Sequence, residues 1–565
     1  MSRLVGGPRV SEVHEIGERY VRRWAELDPS AAVKLGLTTG FGTLTDYDPD
    51  SLEARAEHAR ATRRVAETAP CLDTDDRVAS RAIVARLTAE LDLFESGEWL
   101  RDVRAIGSPF GEMREVFDLL PRETDDDWRD LLARMQRVPD VIESYRRTLQ
   151  VGIARGVVTS QRQALVAADQ ARAFSGMGAA GFFANLAGSC RTISTPLFKQ
   201  LTTAARSADA ATGRLGDFFL TEYALAASDD DGVGGEIYEL WSRHLNGIAL
   251  DLDETYRWGW ADLRAINAEM ARVAEEIAPG RGVREVAALL EADATRVVDG
   301  VENLRSWLQA TMDHAIEALA GTHFDVAEPV RRIEACIAPP GGAAAMYYTA
   351  PSEDFSRPGR TWYPTLGRTR FPLWLEVTTA YHEGVPGHHL QLGQTCWLGE
   401  RLNPFLRSVG RVSGHIEGWA VYAERLMDEL GLIEDPAYRF GMLACQAFRA
   451  ARVVADIGLH LGLRVPEDWD ELPGERWSAD TALAILRNAV FRPDDFLRSE
   501  IDRYLGWPSQ AIGYKVGERI WTETREAVRR RRKQSFNLRT FHADAFKLGL
   551  VGLGQFRDEF LAAEQ

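Results

Sequence analysis

The sequence predicts a mainly α-helical fold that carries one small β-sheet. Three observations predict it. Leu, Ala, Arg and Glu recur at three- and four-residue spacing from Val10 to about Asp325. After Thr322 the texture changes to short, β-branched, roughly alternating segments bounded by proline. Helical spacing then returns at Phe371 and holds to the end of the chain.

In the first part, "RAIVARLTAELDLFESGEWL" (Arg81–Leu100) and "WADLRAINAEMARVAEEIA" (Trp260–Ala278) carry the helical period. Breaks fall at the loop signals "SDDDGVGG" (Ser228–Gly235) and "APGRG" (Ala278–Gly282). No fixed repeat or low-complexity linker separates domains. Residues 1–322 are expected to form a mainly helical part and 323–565 a part with the sheet and the candidate site, intertwined as one unit. The strand segments are "EPVRRIEACIAPP", "AAMYYTAP" and "GRTWYPT", the last two bracketing the turn "EDFSRPG" (Glu353–Gly359). They predict two to four antiparallel strands just before a histidine-rich segment.

Composition narrows the function. In 565 residues, 67 Lys and Arg face 84 Asp and Glu, a formal net charge of −17. An acidic chain argues against nucleic acid and anionic membrane surfaces as partners. The basic run Arg529–Lys533 follows a helical stretch and reads as a solvated helix end. No apolar stretch approaches the roughly 20 residues needed to span a bilayer. The first residues lack the apolar core of a signal peptide. The five scattered cysteines include no Cys-x-x-Cys pair, so reduced thiols in a cytoplasmic protein are expected.

The chemistry concentrates in "LEVTTAYHEGVPGHHLQLGQ" (Leu375–Gln394). His382 and Glu383 begin a zinc-protease-like His-Glu pair, but Pro386 stands where the second histidine of His-Glu-x-x-His would be. Proline inside a helix costs about 3 kcal/mol and collides with the carbonyl of His382, so a regular helix through His389 is not expected. A bulge at Gly384–Gly387 would absorb two extra residues and return His388 to the face of His382. Without it, His388 would stand about 240° round the helix, and His389, on the right face, about 10.5 Å along the axis. That rise is awkward for one ion with nitrogen bonds of about 2.0–2.1 Å. His388 is therefore favoured over His389 as the second ligand, with both kept open.

A catalytic zinc wants three protein ligands and an open position. The third candidate follows in "SGHIEGWAVYAERLMDELG", where Glu417, Ala420, Val421, Glu424 and Asp428 share one helix face. Carboxylates among alanine and valine on one face imply a helix turned inward, because an unpaired buried carboxylate is costly.

"HEGVPGHHLQ" and "EGWAVYAE" together resemble the bacterial family catalogued as domain of unknown function 885, in the gluzincin metallopeptidase clan. "YYTAPSEDFSRPG" (Tyr347–Gly359), "RVVADIGLH" (Arg452–His460), "RYLGWPSQAIGYKVG" (Arg503–Gly517) and "LRTFHADAFKLG" (Leu538–Gly549) fit the same family in order. So does "YVRRWAELDPSAAVKLG" (Tyr20–Gly36). Ser509 departs from the family's usual glycine, Thr365 lies near a usual asparagine, and His415 is not an obvious family position. The resemblance implies a two-lobed, helical, gluzincin-like fold, with residues 1–322 forming one wall of a deep cleft beside the sheet. It also implies one Zn2+ per chain, another divalent metal being an alternative.

With the residue chemistry, the resemblance implies metal-assisted hydrolysis. His382, His388 and Glu417 would hold the ion, and Glu383 would take a proton from water and pass it to the leaving amine. Tyr514 is the candidate oxyanion donor, with a buried structural tyrosine as the alternative. Glu424 and the four-residue ladder Arg452, Asp456, His460 are candidates for the layer behind the ligands, with Asp456 orienting a ligand histidine. An Arg452–Asp456 helix ion pair is the alternative. His389 would contact substrate or pack on the sheet. Tyr348 and Arg357 would present a strand edge to an extended peptide, unless Arg357 only braces its turn.

The expected activity is zinc-dependent cleavage of an amide bond in a short peptide. Two rivals stand: a metal-dependent amidase of a small biosynthetic molecule, and a non-catalytic scaffold that binds a metal or ligand. Homo-oligomerisation stays open.

Overall fold

The computed structural model describes residues 11–562 except 38, 177–179, 191–192 and 339–344. Pro339, Pro340 and Ala344, at the ends of the expected strands, lie outside the described residues, as does the stretch before Ser11.

Helices dominate, as the periodicity predicts. Among the long ones before the sheet region are α1 (Asp125–Arg155), α2 (Thr195–Phe218), α3 (Leu252–Ile277) and α4 (Val301–Leu319). Helix α1 shows how local sequence sets such an element. The Thr124 hydroxyl accepts the Asp127 N–H while the Asp127 carboxylate accepts that of Thr124, so two orphan donors are satisfied at once. Gly156, at φ 69°, ends the helix in a left-handed conformation.

Burial divides α1 to α4 between two cores. Helices α1 and α2 line a smaller one built from residues 44–224, with Phe117, Phe183 and Phe219 at its centre. Helices α3 and α4 join a larger core that runs from Val13 to Phe560 and draws side chains from both sides of residue 322.

The sheet region differs from expectation in one respect. β2 (Ile333–Ile337), β3 (Tyr347–Thr349) and β4 (Gly359–Tyr363) form a sheet in the order β2-β4-β3. β3 pairs antiparallel with β4, but β2 pairs parallel with it, so the sheet is mixed. The chain passes from β2 to the far edge, makes β3, and returns by a turn into the middle, which fixes β4 parallel to β2. A second, antiparallel pair joins β5 (Arg370–Pro372) to β1 (Val297–Asp299), a strand hidden within the helical stretch.

Six helices complete the site region: α5 (Glu376–Glu383), α6 (His388–Leu398), α7 (Ser413–Glu429), α8 (Pro436–Leu461), α9 (Asp494–Gly506) and α10 (Gly513–Arg532). Helices α7 and α10 touch backbone to backbone. A Cβ on Gly418 would stand 2.4 Å from the Cα of Gly517, and one on Gly517 would stand 2.2 Å from the carbonyl of Gly414. Only glycine permits that approach, which brings Tyr514 against His382 of α5. The arginines 529–532 close α10, where cations suit the helix dipole. Among the described residues, no helix is long and apolar enough to cross a membrane.

Candidate metal centre

The stretched motif is resolved by a break rather than a bulge. Helix α5 ends at Glu383, residues 384–387 leave the helix through a cis Val385–Pro386 bond, and α6 begins at His388. Proline's missing N–H and its clash are thereby avoided. The Gly387 N–H reaches back to the Tyr381 carbonyl at 3.0 Å, and the His389 N–H to that of Gly384 at 3.0 Å. A Cβ on Gly387 would stand 2.0 Å from the His382 carbonyl oxygen, so this crossing also requires glycine. The Trp419 indole, from α7, donates to the carbonyls of Pro386 and Gly387 at 2.9 and 3.1 Å and pins the break.

The break brings His388 back beside His382, their ring centroids 4.7 Å apart at 78°. The Oε2 of Glu417 lies 3.4 Å from His382 Nε2 and 3.5 Å from His388 Nε2. Charge-assisted hydrogen bonds run at about 2.7–2.9 Å, so these contacts are long for direct bonds. Tetrahedral zinc with bonds of about 2.0–2.1 Å would set its ligand atoms about 3.3–3.4 Å apart, which is the spacing seen. The same Oε2 is buried with no hydrogen-bond partner, a costly state unless something else fills it. The residues fit a divalent ion. Glu383 belongs to the same cluster, offering an oxygen within 4.8 Å of nitrogens of both imidazoles.

Electrostatics separate the two carboxylates. Burial and the neighbouring Glu417 push Glu383 up to about 7 against the pull of His388. Burial would raise Glu417 as well, but the two imidazoles beside it hold it far below the usual carboxylate range. Like charges in one pocket drive such pairs apart.

Behind the ligands, Glu424 is wholly buried. Its Oε1 accepts from His382 Nδ1 at 2.7 Å, and its Oε2 accepts from Thr378 at 2.7 Å and Arg449 Nη1 at 3.0 Å. Burial alone would raise the Glu424 carboxyl; Arg449 and His382 outweigh it and keep it ionised. The proton of His382 is thereby fixed on Nδ1, leaving Nε2 free to face Glu417.

Other predicted residues fall elsewhere. His389 is fully buried on the sheet side, against the Val330 carbonyl at 2.7 Å and the Tyr348 hydroxyl at 3.0 Å. Burial lowers it to about 4, against the raising effect of that carbonyl, so it is neutral. His388, not His389, stands at the cluster. Arg357 braces its turn, donating to the carbonyls of Ala350 and Pro358. Asp456 does not orient a ligand histidine: its Oδ2 accepts from the Tyr238 hydroxyl and the Ser509 N–H. His460 meets the Tyr504 carbonyl at 2.9 Å, and Arg452 pairs with Glu500 rather than Asp456. The helical rise separates these rungs, so equal spacing did not place them in one site. Asp428 pairs with Arg439, away from the histidines.

Arg449, Thr378 and Trp419 were missed. For Arg449 a signal existed: an arginine inside the apolar run "FRAARVVA" needs a buried carboxylate. Tyr514 stands near-parallel to His382, ring centroids 6.4 Å apart. Burial and Glu417 raise its phenol above the ordinary value against the pull of Arg452, so it keeps its proton.

The family described as "Bacterial protein of unknown function (DUF885)" matches residues 29–559. The chain belongs to this family. Two solved structures share the fold over nearly their whole lengths. One is "the putative lipoprotein from Colwellia psychrerythraea", 20% identical with a TM-score of 0.84, covering 98% of this chain and 99% of that one. The other is "a putative lipoprotein of unknown function from Shewanella oneidensis", 16% identical with a TM-score of 0.75, covering 98% of this chain and 100% of that one. A search of curated proteins finds no match.

Proposed function

We propose that this DUF885 protein is a metal-dependent hydrolase of the gluzincin type that cleaves an amide bond in a short peptide, with zinc as the preferred ion. One observation carries the reading: a partnerless Glu417 oxygen set at tetrahedral-edge distance from the Nε2 atoms of both His382 and His388. A divalent ion bound there would supply Lewis acidity, polarising a carbonyl and acidifying water.

The chain's own groups carry the remaining roles. Glu424, clamped by Arg449 and Thr378, holds the His382 ring in one tautomer. Glu383, next to a ligand and buried, takes a proton from the attacking water at its carboxylate and delivers it to the leaving nitrogen. Tyr514, protonated, donates its hydroxyl towards the oxyanion that develops on the former carbonyl. The scattered cysteines, read as reduced thiols, accord with a cytoplasmic location, the compartment this reading favours.

Metal content by mass spectrometry is the first test. Wild-type protein purified without added metal should carry roughly one zinc per chain, and His388→Ala close to none. Glu383→Gln should keep the metal and lose turnover of an amide panel. A wild type that stays metal-free after zinc reconstitution ends the hydrolase reading in favour of a binding scaffold.

A further inference from the structure

Arg452, on α8, has a geometry that its ion pair does not explain. Its guanidinium stands over two rings, Cζ 4.1 Å from the Phe448 centroid and 4.9 Å from that of Tyr514. Tyr514 is the ring that stands beside His382. The Tyr504 hydroxyl stands within reach of the guanidinium, whose Nη2 donates to Glu500 Oε2 at 2.8 Å. That oxygen is crowded, since Arg503 Nη2 and the Tyr504 hydroxyl donate to it at 2.8 and 2.9 Å, and Arg503 Nε takes Oε1 at 3.0 Å. Two guanidiniums thus share one carboxylate. Arg452 Nε is buried with no hydrogen-bond partner, though its side chain keeps 11% of its exposure.

Among the described residues, the charged groups around it do not supply a second carboxylate. Glu424 is taken by Arg449 and His382, and Glu417 faces the imidazoles. Asp456 is bonded to Tyr238 and Ser509. An arginine set over two aromatic rings, with its Nε unpartnered, is preorganised for a planar anion.

We infer that Arg452 is a receptor for a carboxylate of the substrate, so that the site takes short amides bearing a free carboxylate about two or three extended residues or fewer from the cleaved bond, at about 3.5 Å per residue. This inference deepens the hydrolase reading and rests on it for its purpose, but carboxylate binding can be measured without turnover. An N-acyl dipeptide with a free C-terminus is the simplest member of the class.

The test is calorimetric titration of zinc-loaded Glu383→Gln protein, which binds without cleaving. The probes are N-acetyl dipeptides of alanine, phenylalanine and glutamate, each as free acid and as C-terminal carboxamide. The acids should bind roughly tenfold or more tighter than their carboxamides, the scale of a charge-assisted pair. Adding Arg452→Gln should bring the two forms within about twofold, because the fork is gone. Arg452→Lys keeps the charge and the Glu500 pair, and should still lose most of the preference. It also stands in should Arg452→Gln fold poorly. Equal binding of acids and carboxamides, a preference that survives both substitutions, or no binding of either form at millimolar concentration overturns the assignment. A preference that depends on Arg452 in a protein whose Glu383 form hydrolyses nothing would sink the hydrolase reading and leave this one standing.

Discussion

Helix α8 buries charge at two levels, and the two levels serve different ends. At Arg449 the guanidinium forks onto Glu424, which holds His382; every link leads to the candidate metal centre. Two turns on, Asp456 is just as buried, yet its partners are Tyr238 and the Ser509 backbone. Ser509 sits at φ 65°, in the left-handed region, and its hydroxyl accepts from Asn246 at 3.0 Å. The loop so held leads directly into α10 and Tyr514. In the proposed reading one level orients a ligand, while the other holds the loop that carries Tyr514 and makes no contact with a candidate ligand. Buried charge on a helix thus marks importance without marking chemistry.

Breaking the first level should have the largest effect. Arg449→Met leaves Glu424 buried without its main counter-charge and should cost about 3–5 kcal/mol of stability. Urea unfolding of the metal-free proteins would measure it. A loss below about 1 kcal/mol would mean that Glu424 is already neutral and that Arg449 orients nothing.

The Asp456 level predicts a pH signature instead. Burial raises this carboxyl to about 7, opposed by Tyr238, the Ser509 N–H and Arg503. Its folded value thus lies above its unfolded one. Its contribution is whole below about pH 4 and is lost as pH rises towards 7, where folded protein finally ionises; the total is bounded at about 4 kcal/mol. Asp456→Asn does not titrate, so its melting temperature should gain on the wild type between pH 4 and 7. The buried histidines 389, 415 and 542, all lowered by burial, pull both proteins the other way and cancel in the comparison. His460 stands 4.0 Å from Asp456, so a double variant that also carries His460→Asn serves as the control. A difference that stays flat with pH would show Asp456 to be ionised in the folded protein.

Under the proposed function, zinc titration would separate the two levels most directly. Glu424→Gln should weaken zinc binding about 10–100-fold in a chelator competition. Asp456→Asn should leave it within about twofold, because Asp456 makes no contact with a ligand histidine. Equal losses would erase the distinction between the levels.

How much of this was legible in the sequence follows from what each signal encodes. Helical period and strand texture were visible because local spacing dictates them, and the sheet's place before the histidines followed. The pairing of β2 with β4 depends on the path through β3, which no local pattern records. In the site, Pro386 announced a departure from the helix, and the placing of His388 followed from geometry. The ladder Arg452, Asp456, His460 misled because four-residue spacing says which residues share a face, not what that face meets. Arg452 meets Glu500 and Tyr514, Asp456 meets Tyr238, and His460 meets a carbonyl. The Gly414, Gly418 and Gly517 contact, which brings Tyr514 in, was in plain view as small residues four apart, but its partner surface was not.

The smallest effect belongs to Ser509, and it tests whether the second level stores strain. A non-glycine residue in the left-handed region costs about 1–2 kcal/mol, which Ser509→Gly would relieve. The same change deletes the bond from Asn246, worth about 0.5–1.5 kcal/mol and more when its partner is left buried and unpaired. The two nearly cancel, so Ser509→Gly should fall within about 1 kcal/mol of the wild type. Ser509→Ala loses the bond and keeps the strain, and should be the less stable of the two by about 1 kcal/mol or more. Measured side by side in urea, equal stabilities for glycine and alanine would mean that the loop relaxes once Asn246 lets go. The Asp456 bond to the Ser509 N–H would then not be what holds the turn before Tyr514 in its left-handed form.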